Sequence, residues 1–156
     1  MKTFLYLLLA TSTSYAASYG TFGSALAHPS NELSAVKFVE FGVQEELKTF
    51  DYRLGLGGWT DKSSYPGVQS SPYMLGQLGL TTRPVGGIYA GYFVGPAVVA
   101  NTDRLLGSVF EVIHALSIGF KDTRGVKVGI TIRHFSSGGL SRRNTGRDLV
   151  GLEVQF

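Results

Sequence analysis

Cysteine is absent from this 156-residue chain. Its absence excludes a disulfide framework, a thiolate metal site and a cysteine nucleophile. Long apolar runs are also missing beyond residue 17, where no segment reaches the roughly 18 residues that indicate a transmembrane helix. Charged residues are few, at 16% of the chain, and the excess of positive over negative charge is small, with a formal net charge of +3. A nucleic-acid partner is therefore not expected, because binding nucleic acid requires a strongly basic surface.

The amino-terminal segment has the pattern of a secretory signal peptide. One positive charge precedes an apolar run at residues 4–10, and small residues follow at Ser14 and Ala16. The apolar run is too short to cross a bilayer as a helix, and the small residues form a cleavage site. We expect cleavage after Ala16, so that residues 1–16 are a signal peptide and residues 17–156 form one exported domain.

What the sequence has in abundance is glycine and aromatic residues, with 21 Gly, 8 Tyr and 10 Phe. This composition is typical of a membrane β-barrel, in which aromatic side chains lie at the lipid interfaces and glycines let the strands curve. The alternation of apolar with polar or small residues also supports a membrane β-barrel, because a barrel strand points alternate side chains toward lipid and lumen. Within residues 50–57 the even positions are Phe50, Tyr52, Leu54 and Leu56, and the odd ones are Asp51, Arg53, Gly55 and Gly57.

The same alternation, together with turn residues, predicts an all-β fold, an eight-stranded antiparallel transmembrane β-barrel. We expect strands at about 18–26, 33–43, 50–57, 72–83, 85–95, 108–119, 124–136 and 147–156. Turns are predicted at 81–87, 101–107 and 120–125, and longer polar loops on the opposite rim at 59–72 and 137–146. The chain ends in Phe156 after alternating apolar residues, which is typical of the assembly signal of outer-membrane barrels.

Charged residues in the strands are expected to fill the narrow lumen as ion pairs. They are Lys37, Glu40, Asp51, Arg53, Glu111, Lys127, Arg133 and Glu153. Trp59, Tyr52, Tyr89 and Tyr92 are expected in aromatic girdles at the membrane interfaces. His114 lies in an apolar face and is interpreted as an interfacial or packed histidine.

Three polar residues depart from the lipid-facing pattern of the last two strands. His134 and Ser136 continue the apolar face of residues 124–136, and Asp148 lies on the apolar face of the last strand. If the loop between these strands is symmetric, His134 is directly opposite Asp148, with Cβ atoms about 4.5–5.5 Å apart. This arrangement predicts a serine nucleophile, a histidine base and an orienting acid.

The position of these residues along the last strand supports a role at the membrane. Polar side chains facing lipid are unfavourable unless they lie near the interface and hydrogen-bond one another. Asp148 lies eight residues before Phe156. Eight steps of about 3.4 Å, tilted by about 40°, rise roughly 20 Å of an apolar band about 25 Å tall. The group is therefore predicted at the outer headgroup boundary.

The stretch "HFSSGGLSRRNTGRD" at 134–148 resembles the PagL family of outer-membrane lipid A 3-O-deacylases. The matching positions are His134, Ser136, Gly139, Asn144, Gly146 and an acid at position 148. "LGSVFEVIHALSIGF" at 106–120 also looks like the strand that precedes the family's catalytic hairpin. The similarity in motifs covers about the last 50 residues, and the earlier part of the chain is similar only in architecture.

The resemblance implies that Ser136 is the nucleophile, His134 the base and Asp148 the orienting acid. It also implies an oxyanion hole formed by Asn144 and a backbone amide near Gly139, and neither a metal nor another cofactor. The substrate would be lipopolysaccharide in the outer leaflet, whose lipid A would lose a 3-hydroxy fatty acid. The family usually has Glu where Asp148 stands, and often has Asn where Ser137 stands.

Arg142, Arg143 and Arg147 surround the catalytic loop. We expect contacts with lipid A phosphates, or alternatively a basic rim that faces solvent and anionic headgroups. Two other functions stay open, namely a non-enzymatic outer-membrane barrel with a structural or adhesion role, and a soluble exported lipocalin-like barrel with its apolar side chains inside. The sequence also leaves open whether the protein forms a homodimer.

Overall fold

The structure is a computed structural model that describes residues 16–25, 36–62, 69–103, 105–141 and 145–156. Its strands form one closed antiparallel barrel in sequence order, as the alternation predicted. They are β1 (Ala17–Ala25), β2 (Val36–Glu46), β3 (Asp51–Asp61), β4 (Ser71–Thr81), β5 (Ile88–Val99), β6 (Phe110–Lys121), β7 (Lys127–Ser136) and β8 (Arg147–Gln155).

The barrel closes where β1 pairs with β8, with Tyr19 opposite Gln155. Short connections at 47–50, 82–87 and 122–126 lie at one end, which we call the short-turn rim. The other connections are longer and define the long-loop rim. The segment at 101–107 was predicted among the short turns, but it belongs to the long-loop rim because it joins the end of β5 to the start of β6.

Apolar side chains cover the outside of the barrel, and charged and polar ones fill the middle of its inside. Those that face outward include Phe41, Leu54, Leu56, Met74, Leu78, Leu80, Leu116, Ile118 and Ile130. This arrangement is the reverse of a water-soluble protein and is that of a barrel that crosses a membrane, so the lipocalin-like alternative is wrong. No described part of the chain forms a helix with the length and apolar character needed to span a bilayer.

A buried charge network fills the middle of the lumen. Arg133 donates to both carboxylate oxygens of Glu40 at 2.7 and 2.8 Å and to Glu153 at 3.2 Å. Arg53 donates to Glu153 at 3.0 and 2.7 Å. The predicted lumen ion pairs are therefore confirmed for these four residues. Lys37 instead is exposed, because it is out of phase with the inward-facing positions of β2.

Toward the long-loop rim the lumen becomes apolar and is closed by packed aromatic rings. Trp59 stacks on Tyr73 with ring centroids 5.4 Å apart, and Phe135 packs edge-on against both rings at 5.4 and 5.0 Å. Trp59 and Tyr89 were expected in the interfacial girdles, but both are buried on the inner face. The rings fix the inner face of β7, the strand whose outer face carries the candidate site.

Candidate active site

The candidate site lies on the outer wall, at the ends of β7 and β8 near the long-loop rim. Phe135 is fully buried among the aromatic rings of the lumen. Successive side chains of a strand point to opposite faces, so this burial turns the flanking His134 and Ser136 outward. Both are partly exposed. The packing of one inward side chain thus sets the direction of two outward ones.

His134 and Asp148 are directly opposite each other in the β7–β8 pairing, which confirms the register that the symmetric hairpin predicted. The imidazole Nδ1 lies 2.7 Å from the Asp148 Oδ1, and both side chains are 43% exposed. A carboxylate can only accept a hydrogen bond, so it holds the proton on Nδ1 and leaves a lone pair on Nε2. Such an imidazole is oriented to act as a base.

Gly146 lies directly beside the imidazole of His134. Its backbone has a φ of +76°, in the left-handed region that favours glycine. A Cβ atom at this position would lie 2.7 Å from the His134 Cε1, 2.9 Å from the Phe135 carbonyl oxygen and 3.3 Å from the His134 Nε2. Glycine is therefore required here both by the backbone and by the space that the ring occupies.

Ser136 follows His134 on the same outward face, one position closer to the long-loop rim. Within the described residues, the structure records the His134–Asp148 hydrogen bond but none between the Ser136 hydroxyl and His134. Hydrogen bonds between catalytic groups are often long before substrate binds. The structure thus places all three predicted residues on one face of neighbouring strands and joins two of them directly.

A tight turn follows the serine. The Leu140 amide donates to the Ser137 carbonyl at 3.0 Å, and Gly138 and Gly139 have φ values of +59° and +89°. Left-handed backbone at both central positions is the geometry of a type I′ turn, which explains the two glycines. The other expected residues of this loop, Arg142, Arg143 and Asn144, lie outside the described residues.

Arg147 does not face the lipid, contrary to the expected contact with a lipid A phosphate. It is buried in the lumen, where its guanidinium lies 2.7 Å from the Asp103 carboxylate and 3.5 Å from that of Asp61. It also lies over the Trp59 ring, 4.9 Å from the centroid. Arg147 points inward because it alternates with the outward Asp148, and its role is structural.

Asp103 also connects the β5–β6 loop to the site. Its Oδ1 accepts hydrogen bonds from the Leu105 and Leu106 amides at 2.8 and 3.1 Å, and the Leu105 carbonyl accepts one from the Gly146 amide at 3.1 Å. This loop therefore holds Gly146, the residue that lies against the His134 imidazole. The contact between Asp103 and Arg147 is not evident from the sequence, because nothing in a local pattern links residue 103 to residue 147.

A second histidine lies next to His134 on the outer wall. His114 is directly opposite it in the β6–β7 pairing, and the two ring centroids are 6.4 Å apart. The His114 Nδ1 and the Tyr92 hydroxyl are 2.7 Å apart. His114 is thus partly exposed on the outer wall, in agreement with the interfacial position expected from the sequence, and it lies close to the site. No group of three potential metal ligands is found in the described parts of the chain.

The fold and site define a membrane-spanning β-barrel with a His–Asp pair and a serine on its outer wall. No family model and no curated protein matches the chain. Among solved structures it is similar to the crystal structure of the outer membrane enzyme PagL, with a TM-score of 0.72 and 16% identity. The match covers 91% of this chain and 99% of that chain. At this identity the likeness shows a shared fold.

Proposed function

We propose that the protein is an outer-membrane lipid A 3-O-deacylase, a serine esterase that acts on lipopolysaccharide in the outer leaflet. The observation that carries the proposal is the hydrogen bond between His134 and Asp148 on the lipid-facing wall, with Ser136 on the same face. The fold shared with an outer membrane enzyme supports it, and so do the motifs of the closing hairpin.

The orientation of the site favours a lipid substrate. The lumen is filled by ion pairs and aromatic rings, so it offers no route for a substrate. The His134 and Asp148 side chains instead open onto the wall that contacts acyl chains. In outer-membrane barrels the longer loops are extracellular, so the long-loop rim faces the leaflet that contains lipopolysaccharide. The ester bonds of lipid A lie where its headgroup meets its acyl chains, at the level of this site.

The proposed reaction is acyl transfer in two steps. The Ser136 hydroxyl attacks the ester carbonyl, while His134 takes its proton through Nε2 and Asp148 stabilises the imidazolium. The tetrahedral intermediate then collapses, the bond from the carbonyl carbon to the sugar oxygen breaks, and the imidazolium protonates that oxygen. His134 then takes a proton from water, which attacks the acyl-enzyme carbonyl. When this second intermediate collapses, the bond to the Ser136 Oγ breaks, the imidazolium returns the proton to Oγ, and the 3-hydroxy fatty acid is released. Both steps use the same base on the same face.

Two further groups complete the proposal. Asn144 and the backbone amide near Gly139 would donate hydrogen bonds to the negatively charged oxygen of the intermediate, where one such donor contributes about 2.7–4 kcal/mol. Arg142 and Arg143 would contact the lipid A phosphates, because guanidinium groups bind phosphate through paired hydrogen bonds. These arginines take the role that Arg147, which is buried, cannot have.

The test is mass spectrometry of lipid A from cells that express the chain or its Ser136→Ala variant. We expect the unmodified chain to remove one 3-hydroxyacyl group and the variant to remove none, with both barrels folded to the same extent. Ser24→Ala is a matched control, because Ser24 is a partly exposed serine on β1 near the same rim. Identical lipid A from cells with the unmodified chain and from cells with the Ser136→Ala variant would instead indicate a non-enzymatic barrel.

A further inference from the structure

Tyr92 and His114 form a second polar group on the outer wall, and the proposed chemistry does not use it. The Tyr92 side chain is 47% exposed, and its hydroxyl is 2.7 Å from the His114 Nδ1. The next outward residues of β6 are the apolar Leu116 and Ile118. Polar groups facing hydrocarbon are unfavourable unless they are hydrogen-bonded, and they commonly serve a function.

The hydrogen bond to Tyr92 satisfies only one of the two ring nitrogens of His114. A phenol that donates to Nδ1 leaves the neutral imidazole with its proton on Nε2. Nε2 has no hydrogen-bond partner in the parts of the chain that the structure describes. With the Tyr92 hydroxyl as the donor to Nδ1, His114 presents an unused Nε2–H group at the wall.

The position of this donor indicates which part of a bound lipid it would meet. His114 is opposite His134, whereas Ser136 is opposite Val112, one outward position closer to the long-loop rim. The His114 side chain therefore lies beside the base and deeper in the bilayer than the nucleophile. A lipid whose ester reaches Ser136 extends its acyl chain in that direction, so the donor would meet the carbons just beyond the ester carbonyl.

We infer that His114, oriented by Tyr92, binds an oxygen substituent on the acyl chain next to the scissile ester and makes the enzyme selective for 3-hydroxyacyl esters. This inference rests on the proposed esterase function. A 3-hydroxyl group can accept the Nε2–H hydrogen bond. A plain hydrocarbon chain would cover the donor and leave it without a partner, which is the basis on which a polar site rejects an apolar analogue.

The test compares two lipid esters that differ only in the 3-hydroxyl group, with the purified barrel in detergent micelles. We expect the unmodified protein to prefer the hydroxylated ester by about tenfold in kcat/KM, the worth of one hydrogen bond. His114→Phe should remove the preference while still cleaving the plain ester. Tyr92→Phe should weaken the preference, because without the Tyr92 hydroxyl the His114 imidazole is no longer held in one tautomer. Leu116→Phe adds a ring on the same strand and face, and it should leave the preference unchanged.

The outcomes separate the inference from the function on which it rests. Equal rates on both esters with the unmodified protein would overturn the inference and leave the esterase intact. A His114→Phe protein that loses rate on both esters equally, together with a lower unfolding temperature, would show a structural role and also overturn it. If the unmodified protein cleaves neither ester, both proposals fail. Loss of the preference alone supports the inference.

Discussion

Replacing Gly146 by alanine tests whether the His134 imidazole is held where the structure places it. The new Cβ would lie 2.7 Å from the His134 Cε1, whereas ordinary carbon contacts are about 3.5–4.0 Å. The Phe135 carbonyl oxygen, 2.9 Å from the added Cβ, belongs to a residue whose side chain is fully buried in the lumen. The ring must therefore move by roughly 1 Å. A misplacement of this size at a catalytic group costs about 100-fold in rate.

The substitution also strains the backbone, and this effect must be separated from the catalytic one. A non-glycine residue with left-handed backbone costs about 1–2 kcal/mol. Gly125→Ala provides a matched control, since Gly125 has a φ of +95° and an added Cβ there would meet nothing within 4 Å. Gly125 lies in the short turn at the opposite rim. Both variants should thus lose free energy of unfolding through backbone strain, with a further loss for Gly146→Ala from the overlap with His134 and Phe135, but only Gly146→Ala should lose activity.

The assay combines the rate of fatty acid release from lipid A micelles with thermal unfolding in the same detergent. We expect kcat/KM to fall about 100-fold for Gly146→Ala and less than threefold for Gly125→Ala. If Gly146→Ala retains the activity of Gly125→Ala at equal stability, the ring is not in contact with residue 146. The reasoning about how the hairpin orients the base would then be refuted.

Two other substitutions test the two sides of β8. Asp148→Asn keeps the size of the side chain but removes the charge, so the amide can hold the wrong tautomer of His134. The rate of release should fall about 10⁴-fold, as in serine proteases with this change, at unchanged unfolding temperature, and a fall of less than tenfold would contradict the triad. Arg147→Met removes the cation from the buried carboxylates of Asp103 and Asp61. It should lower the free energy of unfolding by about 3–5 kcal/mol in denaturant titrations, whereas unchanged stability with a raised KM would restore Arg147 as a substrate ligand.

The barrel and the register of its last hairpin could be predicted because both follow from the alternation of outward and inward side chains along each strand. Alternation shows which residues face outward, and a symmetric loop then fixes the residue opposite each position. His134 and Asp148 were paired on this basis alone, and the structure pairs them. The His134–Asp148 contact needs no information from the rest of the chain, because both partners belong to one hairpin.

The wrong predictions concern residues that were assigned by their chemical type and not by whether their position in the strand faces inward or outward. Trp59 and Tyr89 were assigned to girdles as aromatic residues, Arg147 to phosphate as a cation, and Lys37 to the lumen as a charge. In each case the alternation of the strand already indicates the observed side, since Arg147 shares the phase of Glu153 and Trp59 that of Arg53. The contact of Asp103 with Arg147 could not be predicted, because it forms only when distant strands close the barrel.

The structure indicates why the proposed active site of such a small barrel lies on its wall. Eight strands enclose a lumen just wide enough for side chains, and Arg53, Arg133, Glu40 and Glu153 occupy its middle. These buried ion pairs join β7 and β8 to β2 and β3, and a strand held in this way positions outward side chains more accurately than a loop can. Each inward residue that packs tightly therefore also positions its outward neighbour. For this reason, loosening the lumen at Phe135 should disturb His134 and Ser136 together, although Phe135 itself never contacts lipid.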